Sequence, residues 1–293
     1  MSRPASQDEE DGTLDVSKEQ LPPKLASWAC NEVSFTPRGG KAAMAGVDGR
    51  LRLIDLETFV IEATWMPSDY LRNATIESAL EDEDVRGGDG EATAVTMLDV
   101  SPDGQWLVSC DMEGVVHVYS LQGDVYHATL PQLPARMTCM RFVPSLQMSN
   151  ALVCVTAENR FYIFDVEAAR LTDWSRENHA ATPASLVNCP LHVMGITFNP
   201  AKPLSFLMYG ASFLCNVNLD KLPAKDANSS EVTVEKSKRK RKAESEWCTM
   251  LHKYGPVLCA EYLTEGNLMV AERPWIQVMA QLGGAFYTKR YGK

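Results

Sequence analysis

The run A-V-T-M-L-D-V-S-P-D-G-Q-W-L-V-S-C-D-M-E-G-V-V-H-V-Y-S-L, from Ala94 to Leu121, restricts the fold more than any other stretch of the chain. It holds three short runs rich in Val, Leu, Trp and Tyr, divided by Ser101-Pro102-Asp103-Gly104 and by Asp111-Met112-Glu113-Gly114. Asp-Gly and related pairs supply the positive φ of tight hairpins, so such pairs between alternating apolar runs predict paired antiparallel strands. The unit is a three-stranded meander. A meander of this size cannot bury its apolar faces alone and calls for neighbours of the same kind.

Worn copies of the unit occur along the chain. Upstream, Val33-Ser34-Phe35 leads into Pro37-Arg38-Gly39-Gly40, Ala42 to Ala45, Asp48-Gly49 and Leu51 to Leu56. Downstream come Met137 to Phe142 with Ala151 to Thr156 and Phe161 to Val166, then Ile196 to Phe198 with Leu204 to Tyr209 and Phe213 to Leu219. The last copy is Val257 to Tyr262 with Leu268 to Ala271 and Trp275 to Met279; Gln281 to Lys293 shows no clear outer strand for it, a place that residues near Leu14 to Trp28 could fill. With Phe35, Leu98, Phe142, Phe198 and Tyr262 as equivalent points, the intervals are 63, 44, 56 and 64 residues. The shortest has the period of about 40–45 residues of a propeller blade, and the others are that period plus insertions. The expected fold is all-β: a β-propeller of about five four-stranded blades, read as an incomplete propeller, with a closed five-bladed ring as the alternative, since five lies within the range of about 4–8 blades and an open arc leaves edges and apolar faces unpaired.

Ser-Pro-Asp-Gly before a strand, an Asp-Gly turn, and an apolar residue followed by Asp at the end of a third strand (Ile54-Asp55, Phe164-Asp165) resemble the WD-repeat family. Tyr119-Ser120 and Val217-Asn218 hold that place in other copies, and no Gly-His dipeptide accompanies the surviving Asp48. The ending Asn267-Leu268-Met269-Val270-Ala271-Glu272-Arg273-Pro274, then Gln281-Leu282 and Lys289-Arg290-Tyr291-Gly292-Lys293, resembles the C-terminus of the cirhin family, a WD-repeat subunit of the small-subunit processome. Gly283-Gly284 stands where that family has proline. The resemblance implies a non-catalytic nucleolar scaffold that supports pre-rRNA transcription, processing and small-subunit assembly. Its implied partners are other processome subunits and pre-rRNA, directly or through them. It also implies that this chain corresponds to the C-terminal part of a second propeller.

Composition fits that reading. Residues 1–27 hold Asp8-Glu9-Glu10-Asp11 and three prolines with few large apolar groups, a disordered segment with no secretory signal, and the blades occupy 28–293. The longest uncharged stretch, Pro203 to Leu219, contains Gly210, Asn216 and Asn218 and reads as two strands and a turn, so no membrane partner is expected. Eight cysteines are scattered without a C-x-x-C, which fits core thiols in a reducing compartment better than a metal site or disulfide frame.

Two inserts interrupt the blades. Residues 66–91 are acidic and Gly-rich, read as a solvated excursion rather than a docking site for a basic partner. Residues 220–246 carry the candidate site: Lys236, Lys238, Arg239, Lys240, Arg241 and Lys242, six cations in seven positions of a chain with net charge −10. Three readings remain open for it: a plain solvated loop, a nuclear or nucleolar import signal, and contact with RNA phosphates by counterion release. No interleaved aromatic supports base stacking. His117 alternates with Val116 and Val118 and reads as a packing or surface residue rather than a ligand or base, while His179 sits in a polar link, Ser175 to Ser185, with no partner at motif spacing. No nucleophile elbow, phosphate loop or ligand cluster occurs, so no catalytic residue, cofactor, metal or small-molecule substrate is expected. The rival is a general WD-repeat scaffold such as a ubiquitin-ligase substrate receptor.

Overall fold

Alternating apolar runs between glycine turns close into five sheets in the computed structural model. It describes residues 30–67, 94–178, 182–220, 247–252, 256–263, 267–272, 275–282 and 285–291, with the backbone alone for 251–252, 272, 275–282 and 285–291. The first sheet is β1 (Cys30–Phe35), β2 (Lys41–Gly46), β3 (Leu51–Asp55) and β4 (Ile61–Trp65). The second is β5 (Val95–Val100), β6 (Trp106–Asp111), β7 (Val116–Ser120) and β8 (Val125–Thr129). The third is β9 (Met137–Phe142), β10 (Ala151–Thr156), β11 (Phe161–Asp165) and the two-residue β12 (Arg170–Leu171). The fourth is β13 (Val193–Phe198), β14 (Ser205–Gly210), β15 (Phe213–Asn218) and β16 (Cys248–His252). The fifth is β17 (Val257–Tyr262), β18 (Leu268–Glu272), β19 (Trp275–Leu282) and β20 (Ala285–Tyr291).

Every sheet is an antiparallel meander in sequence order. The first strands touch one another in turn, β1 with β5, β5 with β9, β9 with β13 and β13 with β17, so they line a common axis. Among the described residues no comparable contact joins the fifth sheet to the first.

Each sheet repeats one backbone device. The pairing of the first strand with the second slips by a residue near the strand start, at Asn31, Thr96, Thr138, Met194 and Leu258 in the five sheets. A β-bulge at one fixed place bends and twists each strand in the same way, and the sheets fan around the axis as equivalents. The turns repeat too. Gly49 (φ 74°), Gly114 (φ 84°) and Asn159 (φ 58°) occupy the same left-handed position between second and third strands. Asn takes glycine's place in the third sheet because its short amide tolerates that region.

The residues in the Trp-Asp place do the work of turn caps. Asp55 Oδ1 accepts N–H bonds from Thr58 (2.7 Å) and Glu57 (3.0 Å), Asp165 Oδ1 one from Ala168 (3.1 Å), and Asn218 Oδ1 one from Asp220 (3.0 Å). An Asx side chain closes the turn after the third strand without help from the apolar residue before it, so the strand-end pair can erode to Ile-Asp or Phe-Asp. Asp48, read as the remnant of a longer polar network, instead pairs with the buried Arg52 and accepts the Arg50 N–H at 3.2 Å. The Arg52 bond holds its carboxyl below the usual carboxylate range.

Core lies between sheets. Leu51, Leu53, Trp65, Leu98, Leu107 and Tyr119 fill the space between the first and second sheets. Between the third and fourth, Phe161 meets Phe206 edge to face at 5.4 Å and stacks on Trp174 at 5.6 Å, with Trp247 at 6.4 Å. Such aromatic packing buries large apolar area, which is the dominant favourable contribution to folding.

Three expectations need correction. The hydrogen-bond register makes Val100, not Leu98, the equivalent of Phe35, Phe142, Phe198 and Tyr262, because Val100 pairs with the first residues of the next strand as they do. The intervals become 65, 42, 56 and 64 residues. The segment from Ser175 to Ser185 is no plain polar link: α1 (Asp173–Asn178) and α2 (Ala184–Val187) fall across it. The Thr172 hydroxyl caps α1 at the Ser175 N–H (3.3 Å), and Ser175 Oγ accepts the Ile163 N–H (3.1 Å), so the helix continues where the outer strand stops. Finally, β20 supplies the fifth sheet's outer strand from the C-terminal residues themselves, in register from Leu282↔Ala285 to Ile276↔Tyr291. His117 is fully buried, so of the packing and surface readings the structure selects packing, with Nδ1 3.4 Å from Thr129 Oγ1.

Candidate functional site

Lys236, Lys238, Arg239, Lys240, Arg241 and Lys242 lie outside the described residues, as do His179 and positions 68–91 of the acidic insert. What the structure does bring together is a polar network along the axis that sequence reasoning missed. Ser34, Asp99, Arg141, Thr197 and Glu261 occupy one register position, the residue before the last of each first strand.

Their side chains stitch sheet to sheet. Asp99 Oδ2 accepts the Phe142 N–H of the third sheet at 2.7 Å, Oδ1 accepts the Val100 N–H at 2.9 Å, and the Ser34 hydroxyl of the first sheet lies at 3.4 Å. Arg141 donates to the Ile196 carbonyl of the fourth sheet at 3.1 Å and reaches Glu261 of the fifth at 3.2 Å. Thr197 Oγ1 accepts the Tyr262 N–H at 3.0 Å and donates to Glu261 Oε1 at 3.0 Å. Asn31 Nδ2 adds a bond to the Val95 carbonyl at 3.0 Å. Side chains therefore satisfy first-strand backbone groups that no neighbouring strand can reach.

Electrostatics follow from burial and from the charges that the first strands bring together. Burial pushes the Asp99 carboxyl up to about 6, against the pull of its N–H bonds and of Arg141. Glu32 is raised by the same cause. Burial works against the charge on Arg141, but the carboxylates of Glu261 and Asp99 outweigh it and lift the guanidinium above its ordinary range. The groups offer no nucleophile beside a base. Among the described residues no cluster of three His, Cys, Asp or Glu side chains could hold a metal, and no helix is long and apolar enough to cross a membrane. Chemically the network is a set of clamps.

Two hollows flank it. One of about 350 Å³, at the end where the first strands finish, is lined by Asp99, Arg141, Phe142, Phe198, Glu261 and Tyr262. The other, about 560 Å³, lies at the opposite end, where the bulges fall, and its walls include Met97, Met112, Met137 and Met194 with Arg136 and His192. Met112 and Met194 are 60% and 51% exposed. Flexible, polarizable thioethers at a rim adapt to varied apolar contacts, which suits a protein-binding surface. A shared interval of equivalent points could have shown the clamp positions, had the second copy been anchored two residues later.

Five bulged four-stranded meanders around an axis, with Asx-capped turns, are a WD-repeat β-propeller-type fold. The family model "WD domain, G-beta repeat" matches residues 85–120. A chain from the crystal structure of the mitotic checkpoint complex shares the fold at TM-score 0.58 and 11% identity, over 90% of this chain and 66% of that one.

Closer in sequence, the chain is similar to the U3 small nucleolar RNA-associated protein 4 homolog of Homo sapiens, 28% identical over 214 residues, or 69% of this chain and 30% of that protein. The Mus musculus homolog is 27% identical over 216 residues, covering 69% and 30%. U3 small nucleolar RNA-associated protein 4 of Schizosaccharomyces pombe is 25% identical over 220 residues, covering 68% and 31%. The chain thus spans about 30% of the length of these relatives.

Proposed function

We propose that the chain is a non-catalytic scaffold of the nucleolar small-subunit processome, equivalent to the C-terminal propeller blades of the relatives, and that it supports pre-rRNA processing and small-subunit biogenesis. The observation that carries the proposal is similarity of 25–28% identity to three relatives named for the U3 small nucleolar RNA, over more than two thirds of this chain. The fold supports it, since the polar side chains along the axis are committed to holding sheets together rather than to a substrate.

In this reading the methionine-rimmed hollow receives apolar side chains of partner subunits. The run Lys236 to Lys242 addresses the chain to the nucleolus or meets RNA phosphates. Six cations that each displace a condensed counterion give sequence-blind binding that falls steeply with salt.

Replacing the six cations by Ala separates the two roles. The proposal expects nucleolar fluorescence of a tagged chain to disperse, or the salt slope of RNA binding to flatten, or both. Unchanged localisation together with an unchanged salt slope removes the basic run from the mechanism.

A further inference from the structure

We propose that Cys215 and Cys248 form a site of reversible oxidation, an intrachain disulfide between β15 and the outer strand β16 of the fourth sheet. Their sulfurs lie 3.3 Å apart, in contact before any bond exists. Cys215 is paired with Met250 and Val217 with Cys248, so the two cysteines are diagonal neighbours across adjacent antiparallel strands. Both are buried in the core that contains Phe213, Val217 and Trp247, which leaves the thiols packed against each other. All eight cysteines are free.

The chemistry requires an oxidant, for which a peroxide suffices. The thiolate of one cysteine attacks the peroxide oxygen, giving a sulfenic acid and water. The second thiolate then attacks that sulfur, forming the S–S bond and expelling the oxygen as a second water, so two electrons pass from the thiol pair to the peroxide. The Cys248 hydrogen bond, with burial behind it, keeps the Cys215 thiol protonated in the packed state. Oxidation therefore proceeds through opening of β16, a five-residue edge strand. The bond would tie both ends of the sequence that carries Lys236 to Lys242 to a single sheet.

The test treats the purified chain with hydrogen peroxide, blocks free thiols by alkylation, and maps tryptic peptides without reduction. Cleavage within the basic run separates the two cysteines into different peptides. The expected result is a linked Cys215–Cys248 pair, a loss of two hydrogens from the chain mass, and a melting temperature raised by several degrees, all reversed by dithiothreitol. Cys248→Ala and Cys215→Ala each abolish the linked pair; if either variant misfolds, the peptide map of the parent chain decides alone. Peroxide that links other cysteines, or that leaves Cys215 and Cys248 free for alkylation after unfolding, overturns the assignment.

Discussion

Asp99 gives the clearest quantitative test of the axial clamps. Its carboxyl stands near 6 in the folded chain against an ordinary value of 3.8, because burial disfavours the charge more than three hydrogen bonds and Arg141 favour it. A folded pKa above the unfolded one means that the folded chain binds the proton more tightly. The ionised carboxylate therefore lowers stability at neutral pH, and the penalty is relieved as pH falls from about 6 towards 4. The full difference of about two units corresponds to roughly 3 kcal/mol, an upper bound where water reaches part of the group. Asp99→Asn keeps the shape and removes the charge. Linkage then predicts that the stability of the Asn variant relative to the parent is more favourable at pH 7.5 than at pH 4.5 by about 2 kcal/mol, since roughly a third of the penalty is already present at pH 4.5. Urea denaturation of both proteins at the two pH values measures it, and contributions from other titrating groups cancel in the comparison. A difference that stays constant between the two pH values refutes the reasoning.

Other expectations follow from the same contacts. Arg141→Met removes the donor to Ile196 and Glu261 and, with the side chain about half exposed, should cost about 1–2 kcal/mol in denaturant unfolding. Asn159→Ala loses bonds to the carbonyls of Leu186, Cys189 and Leu191 and from the Val193 N–H, and places Ala at positive φ; about 3 kcal/mol or more is expected, with Asn159→Gly milder by about 1 kcal/mol. Ala169 sits at φ 49° in a turn, so Ala169→Gly should stabilise the chain by about 0.5–1 kcal/mol, read as a rise in melting temperature. Phe161→Ala opens a cavity among Trp174, Phe206 and Trp247 and should cost about 3–5 kcal/mol by the same denaturation assay.

The meanders were legible because alternation and Asp-Gly turns are local signals: the runs Met137 to Phe142 and Ala151 to Thr156 coincide residue for residue with β9 and β10, and Leu51 to Leu56 overruns β3 by one residue. What escaped was set by contacts distant in sequence. Ser175 looks like a loop residue until its hydroxyl is found on Ile163, and β20 reads as a basic tail until it pairs with β19. The anchor error at Leu98 arose because Leu98 and Val100 are both apolar and, two residues apart, share one face of β5, so alternation cannot choose between them and only the hydrogen-bond register does. The clamps at Asp99, Arg141 and Glu261 carry no local sequence signal, since only the register places them at one level of the axis.

Quantitative purification of the tagged chain from nuclear extract tests the scaffold reading most directly, with Met194→Glu at the rim of the methionine-lined hollow as comparison. Enrichment of ribosome-assembly factors and pre-rRNA by the parent, reduced by the variant while the fold is retained, is the predicted result. Recovery of cullin-ligase components, or of no assembly factor at all, contradicts it.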